Sequence, residues 1–260
     1  MTEVLFDEYG HPIQKLIDPE HPEQLFDKYG HPHILLEDAS GLDLAAANAI
    51  PVMVRRGSFP VIATHTAANE GSAGSGTGWG AAGYYVQRTG TTPNSWQVNT
   101  IDFLLLAGQP DSCFNFDKAI ELSFLTLRQS SDVEAVARLF IASRVNWPIE
   151  EEDITNKGFG IEIQNYALYG VSHNGSSKYS VNLNTNLSDN EAAEIKILHY
   201  PGEKIEWYVD GVLKGTQSNP ARIPAGVRTW TDFGWSIKNG ATGGVNADFR
   251  WGLLTIWHQK

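Results

Sequence analysis

Glu151-Glu152-Asp153-Ile154-Thr155-Asn156 is where acid chemistry would first be sought in this 260-residue chain. Residues two apart on a β-strand point to the same side. On a strand Glu151 and Asp153 would therefore converge, and two carboxyl groups about 5–5.5 Å apart can cleave a glycosidic bond with retention. The segment follows Trp147-Pro148, however, and reads as an acidic loop. Glu162 and Glu206 each lack an aspartate two residues on. Ser75 sits in Gly74-Ser75-Gly76, and no Gly-x-Ser-x-Gly supports a serine nucleophile. Neither a phosphate-binding glycine loop nor a dinucleotide fingerprint occurs. The chain is read as a non-enzyme.

Metal ligands are equally sparse. Cys113 is the single cysteine, so neither a disulfide framework within the chain nor a cysteine-cluster zinc site can form. His11, His21, His31 and His33 lack the His-x3-His spacing that places two ligands on one helix face, and proline follows the first three. No cofactor is expected. Binding of a sugar is the sharper option, because glycans offer apolar faces and hydroxyls to aromatics beside Asp, Asn or Gln. Trp79, Trp96 with Asn94 and Asn99, and Trp230 with Asp232 are the loop candidates. Each could equally be a rim residue packed on the core.

The elements that would carry these residues are strands. Ile120, Leu122 and Phe124 alternate with Glu121 and Ser123, and Ile161 and Ile163 with Glu162 and Gln164, the period of a half-buried strand. Val133 to Arg144 fits a helix in its first half but reads as strand because of Leu139-Phe140-Ile141. Pro51–Arg56 and Phe59–Ala63 also read as strands, and Gly41–Asn48 as a short helix or linker. Asn69–Gly80, with glycine at five positions, reads as a flexible loop. Ile205, Trp207 and Val209 lead into Asp210-Gly211, a two-residue hairpin turn before Val212–Thr216. Phe249, Trp251, Leu253, Thr255 and Trp257 are placed on one face of a last strand. Such spacing of strands and turns predicts an all-β sandwich or barrel.

Charge divides the chain. Residues 1–40 hold nine acids and two lysines, whereas the whole chain has a net charge of −11. That balance disfavours a nucleic-acid partner. The longest compact apolar run, Phe103–Ala107, is far short of the about 20 residues of a membrane span. Residues 1–8 have neither the basic start nor the apolar centre of a secretory leader, so release by lysis or a dedicated export route is expected.

The acidic segment repeats itself. Leu5-Phe6-Asp7-Glu8-Tyr9-Gly10-His11-Pro12 recurs as Leu25-Phe26-Asp27-Lys28-Tyr29-Gly30-His31-Pro32. Each copy has Asp followed by Gly at the turn position that tolerates φ > 0. Each is expected to form a small hairpin or hooked turn, with Pro12 and Pro32 extending onto an unpaired edge. Two such units bury no core of their own. Residues 1–40 are therefore read as a docking arm, 41–62 as linker and first strands, and 63–260 as the body. Leu5, Phe6, Tyr9, Gly10, Leu25, Phe26, Tyr29 and Gly30 are the proposed anchors. The alternative is an acidic tail carrying a relic of duplication.

Gly158-Phe159-Gly160-Ile161-Glu162-Ile163-Gln164-Asn165, Lys204-Ile205-Glu206-Trp207-Tyr208-Val209-Asp210-Gly211-Val212-Leu213 and the strand Phe249–Trp257 together resemble the concanavalin A-like (laminin G-like) jelly roll. The resemblance spans roughly residues 60–260. It implies two antiparallel sheets, preceded here by the extended arm, with Trp207, Trp235, Phe249 and Trp251 in the core. Glycoside hydrolases of this fold carry Glu-x-Asp-x-x-Glu, a pattern that fails here at Asn156. Some members bind calcium, for which Asp117, Asp132, Asp153, Asp189 and Asp232 are candidate loop oxygens, with no spacing that singles out a site. Similar domains occur on bacteriophage virions. The resemblance thus implies a virion surface structural protein, a capsid decoration or head fibre, made in the host cytoplasm and released by lysis. Its expected partners are other virion proteins gripped by the arm, further copies of itself, and host-surface glycans. The alternatives are a glycan-binding lectin or adhesin, and a polysaccharide-cleaving enzyme.

Overall fold

The computed structural model describes residues 4–6, 12–15, 24–26, 32–34, 49–54, 64–68, 76–79, 85–101, 115–129, 132–143, 153–188, 191–226, 231–242 and 247–259. Most of them are strand. The only helical element among them is a 3-10 turn, Pro220–Arg222, entered through Asn219, whose side chain accepts the Ala221 amide.

Four short strands, β1 (Val4–Phe6), β2 (Pro12–Lys15), β3 (Gln24–Phe26) and β4 (Pro32–Ile34), pair in that order into an antiparallel sheet. The two repeat copies occupy equivalent registers. Phe6 lies opposite Pro12, and Phe26 opposite Pro32. Both prolines are thus paired first residues of strands, where a missing N–H costs least; Pro12 opens the inner strand β2 and Pro32 the edge strand β4. Tyr9, Gly10, Tyr29, Gly30 and the Gly41–Asn48 stretch lie outside the described residues. Chain contacts separate Met1–Ala49 with Gln259–Lys260 from Ile50–His258.

The larger unit is a two-sheet jelly-roll sandwich. Its strands are β5 (Ala49–Val54), β6 (Thr64–Ala68), β7 (Gly76–Trp79), β8 (Tyr85–Arg88), β9 (Trp96–Ile101), β10 (Ile120–Gln129), β11 (Val136–Ser143) and β12 (Gly158–Gln164). They continue with β13 (Ala167–His173), β14 (Lys178–Asn186), β15 (Ala192–Tyr200), β16 (Lys204–Val209), β17 (Val212–Gln217), β18 (Thr231–Lys238) and β19 (Asp248–Gln259). One sheet has eight strands, ordered β17-β16-β15-β10-β19-β8-β7, with β5 pairing β19. The other has seven, ordered β14-β13-β12-β11-β18-β9-β6.

The inward rows of both sheets build the core. Ile120, Leu122 and Phe124 meet Leu139 and Ile141, Phe159 and Ile161, and Ile195 and Ile197, all essentially without exposure. Trp207 crosses the sandwich, donating its indole N–H to the Gly160 carbonyl at 2.9 Å. Trp235 and Trp251 join the sheets edge to face at 4.9 Å, with Phe233 5.3 Å from Trp251. Aromatic pairs of this kind add roughly 0.5–1.5 kcal/mol each beyond their area.

Two expectations are corrected. Gly76–Trp79 forms an edge strand on Tyr85–Arg88 despite its glycines, because an edge position needs only one partner's hydrogen bonds. Thr64–Ala68 is also strand, and the strand expected at Phe59–Ala63 lies outside the described residues. The last strand does not keep one alternation. Its pairing with β10 shifts by one residue between Ser123 and Leu125. The buried row therefore runs Phe249, Trp251, Leu254, Ile256 instead of continuing through Leu253, Thr255 and Trp257. A bulge places two residues opposite one, so the inward positions change from odd to even.

Candidate functional site

The outward row of the seven-stranded sheet is not a solvated face. Register aligns Arg138 of β11, Glu162 of β12 and Tyr169 of β13 in one row. Gly158, His173 and Lys178 of β14 make another. An apolar strip of Val98, Phe140, Ala142 and Val171 crosses these rows, rimmed by Trp96 and Tyr169. Glycines shape this face. A side chain at Gly234 would strike the Phe140 ring, and one at Gly160 the β11 backbone.

Residues 153–157 lie across the strip as a strap. Ile154 is buried in it. Asp153 is held by Lys178, whose ammonium donates to Asp153 Oδ1 at 2.7 Å and to Glu162 Oε2 at 2.6 Å. Arg138 Nε donates to Glu162 Oε2 at 2.6 Å and lies 3.3 Å from Asp153 Oδ1. Two cations thus meet two carboxylates in a closed, neutral cluster. Burial alone would raise the Asp153 pKa, but Arg138, Lys178 and the Ile154 amide outweigh it and hold the carboxyl below its ordinary value. His173 is also shifted down, first by burial and then by Lys178, with Asp153 partly offsetting them. Its Nδ1 accepts the Gly175 amide at 3.0 Å, so the neutral ring carries its proton on Nε2.

This geometry bears on the carboxylate reading of the sequence. Asp153 and Glu162 converge across a strap and a strand, not two apart along one strand. Proton donation from such a pair needs one member with a raised pKa, and Asp153 is shifted the other way. Arg138, His173 and Lys178 were missed as site residues. They belong to different strands, and only the register joins them. Arg138 standing inside Val136–Ser143 was the one visible signal.

The tryptophan candidates do not form one site. Trp96 opens β9, half-buried against the apolar strip and opposite Lys238. Asn94 is an exposed turn residue at φ 57°, while Asn99 points into the core region, fully buried. Asp232 lies on β18 opposite Ala142, six residues from Lys238 and so about 20 Å along the strand from Trp96. Trp79 ends β7 in the other sheet. Trp79, Trp96, Asn99 and Asp232 are thus strand residues, not loop residues. Trp230, Asp189, Cys113 and Glu151 lie outside the described residues. Of the calcium candidates, Asp132 accepts the Glu134 and Gly240 amides at 3.0 and 2.8 Å, and Asp117 accepts the Gly226 amide at 2.7 Å. Leu5, Phe6, Leu25 and Phe26 are placed on β1 and β3.

No family model and no curated protein matches the sequence. Solved structures do resemble the model. One is of botulinum neurotoxin type C, a toxin dependent on two ganglioside molecules, at 12% identity and TM-score 0.46 over 75% of this chain and 42% of that one. The binding domain of botulinum neurotoxin DC, in complex with rat synaptotagmin II, gives 11%, 0.46, 75% and 42%. Alginate lyase A1-II′, of polysaccharide lyase family 7, gives 12%, 0.49, 71% and 83%. The chain spans about two fifths of the toxin chains it matches.

Proposed function

We propose that this protein is a non-enzymatic structural module of a bacteriophage virion surface, a capsid decoration or head fibre docked through its N-terminal arm. The observation that supports this is the arm's duplication in both sequence and register, with Phe6 opposite Pro12 and Phe26 opposite Pro32. Two equivalent hairpins are two equivalent grips. Leu5, Phe6 and Tyr9, and again Leu25, Phe26 and Tyr29, are the anchors, together with Gly10 and Gly30, where the sequence pattern calls for turns that favour glycine. The partners are other virion proteins, with copies of the chain assembling side by side.

Mass photometry and negative-stain imaging of the full chain and of residues 41–260, each mixed with phage particles, test the reading. The full chain should oligomerise or decorate particles, the truncated chain should not, and Gly10→Val with Gly30→Val should weaken docking. Identical monomers that ignore particles would sink it. A glycan-binding role is the second reading, favoured by Trp96 and Tyr169 flanking the apolar strip beside a polar cluster. A glycan array reads it directly.

A further inference from the structure

His173 ends β13 and Lys178 opens β14 directly opposite it, with the turn Asn174–Ser177 between. The turn is tied at four points. His173 Nδ1 takes the Gly175 amide at 3.0 Å, Asn174 Oδ1 takes the Ser176 and Ser177 amides at 2.9 Å each, and Asn174 Nδ2 reaches the Ala221 carbonyl at 2.7 Å. Gly175, at φ 101°, packs over Lys157 and Asn156 at the end of the strap. Lys178 at the other end of the turn is the cation that holds Asp153 at the start of the strap. One histidine therefore stands behind both fastenings of residues 153–157.

We propose that His173 is an acid-sensitive latch: its protonation opens the β13–β14 turn and lifts the Asp153–Lys157 strap off the apolar strip of Val98, Phe140, Ala142 and Val171. The chemistry is local. A proton on Nδ1 replaces the acceptor facing the Gly175 amide with a donor, and two donors repel. The new positive charge stands across from Lys178, which is already committed to Asp153 and Glu162. Asp153 attracts the imidazolium, but burial and Lys178 act against the charged ring. The folded-state pKa being lowered, the unfolded or opened state binds more protons. The latch is fully closed above the ordinary histidine pKa of about 6.5 and loosens as pH falls below it. What is uncovered is apolar, so the face becomes adhesive only in acid.

Hydrogen exchange of the full chain at pH 7.5 and 5.5, corrected for intrinsic rates, tests this. Protection of amides 153–157 and 174–178 should fall at pH 5.5, one unit below the free histidine value, by up to about tenfold. Amides of β10 and β15 should hold. In His173→Asn, whose side-chain oxygen can stand where Nδ1 stands and does not titrate, the loss should vanish. Unchanged protection in the wild type, or an equal loss in His173→Asn, overturns the proposal. Should that variant fail to fold, nitrogen-15 histidine spectra of the wild type decide: the Gly175 amide must titrate with His173 at a common midpoint below about 6.5, and independent titration overturns it.

Discussion

Glu162 accepts from both cations of the outer-face cluster, and its side chain and that of Arg138 are only 10% and 9% exposed. Removing its charge leaves two buried cations sharing Asp153. Breaking a buried pair by removing one partner costs about 3–5 kcal/mol, so Glu162→Gln should be strongly destabilised in urea unfolding. Asp153, 36% exposed, is screened by water; Asp153→Asn should cost under about 1 kcal/mol. Equal losses would mean that the two carboxylates are interchangeable. The residue scale was also where the sequence was least legible. Glu162 looked like the solvent-facing half of an Ile-Glu-Ile alternation. Its burial depends on Arg138, 24 positions away, and Lys178, 16 positions away, and no spacing rule connects three strands and a strap.

Strands were read with more success, since alternation is a local property. Val136–Ser143 is strand, as Leu139-Phe140-Ile141 suggested, because three bulky residues in sequence fit between two sheet faces: Leu139 and Ile141 inward, Phe140 outward. Asp210-Gly211 makes the turn it promised, with both residues at positive φ, 50° and 74°. Gly211→Ala should therefore cost about 1 kcal/mol through backbone strain alone, since open space surrounds the position. Gly170→Ala should cost more, about 1–3 kcal/mol, because its methyl would overlap the Trp207 indole across the core. Thermal melts of the two variants separate strain from steric exclusion; a silent Gly170→Ala would contradict the packing of Trp207. The β19 bulge was not legible, because a two-for-one pairing exists only relative to the partner strand.

For the whole molecule, the two-sheet architecture followed from the Trp207 hairpin and the closing strand, both of which lie in the eight-stranded sheet. The described core residues belong to Ile50–His258. Removing residues 1–40 should leave the urea midpoint and its steepness unchanged, since the slope scales with the surface exposed on unfolding. An insoluble or unfolded 41–260 chain would make the arm an integral part of the sandwich. The arm's equivalent hairpins have a consequence for how long a docked molecule stays put. Where two weak grips share one chain, loss of one leaves the other tethered, and rebinding occurs at an effective concentration in the millimolar range. Avidity of this kind can exceed either single affinity by about 10²–10⁴-fold. A variant with only one intact copy should then dissociate orders of magnitude faster while associating at nearly the same rate, so attachment would be governed by residence time and not by capture.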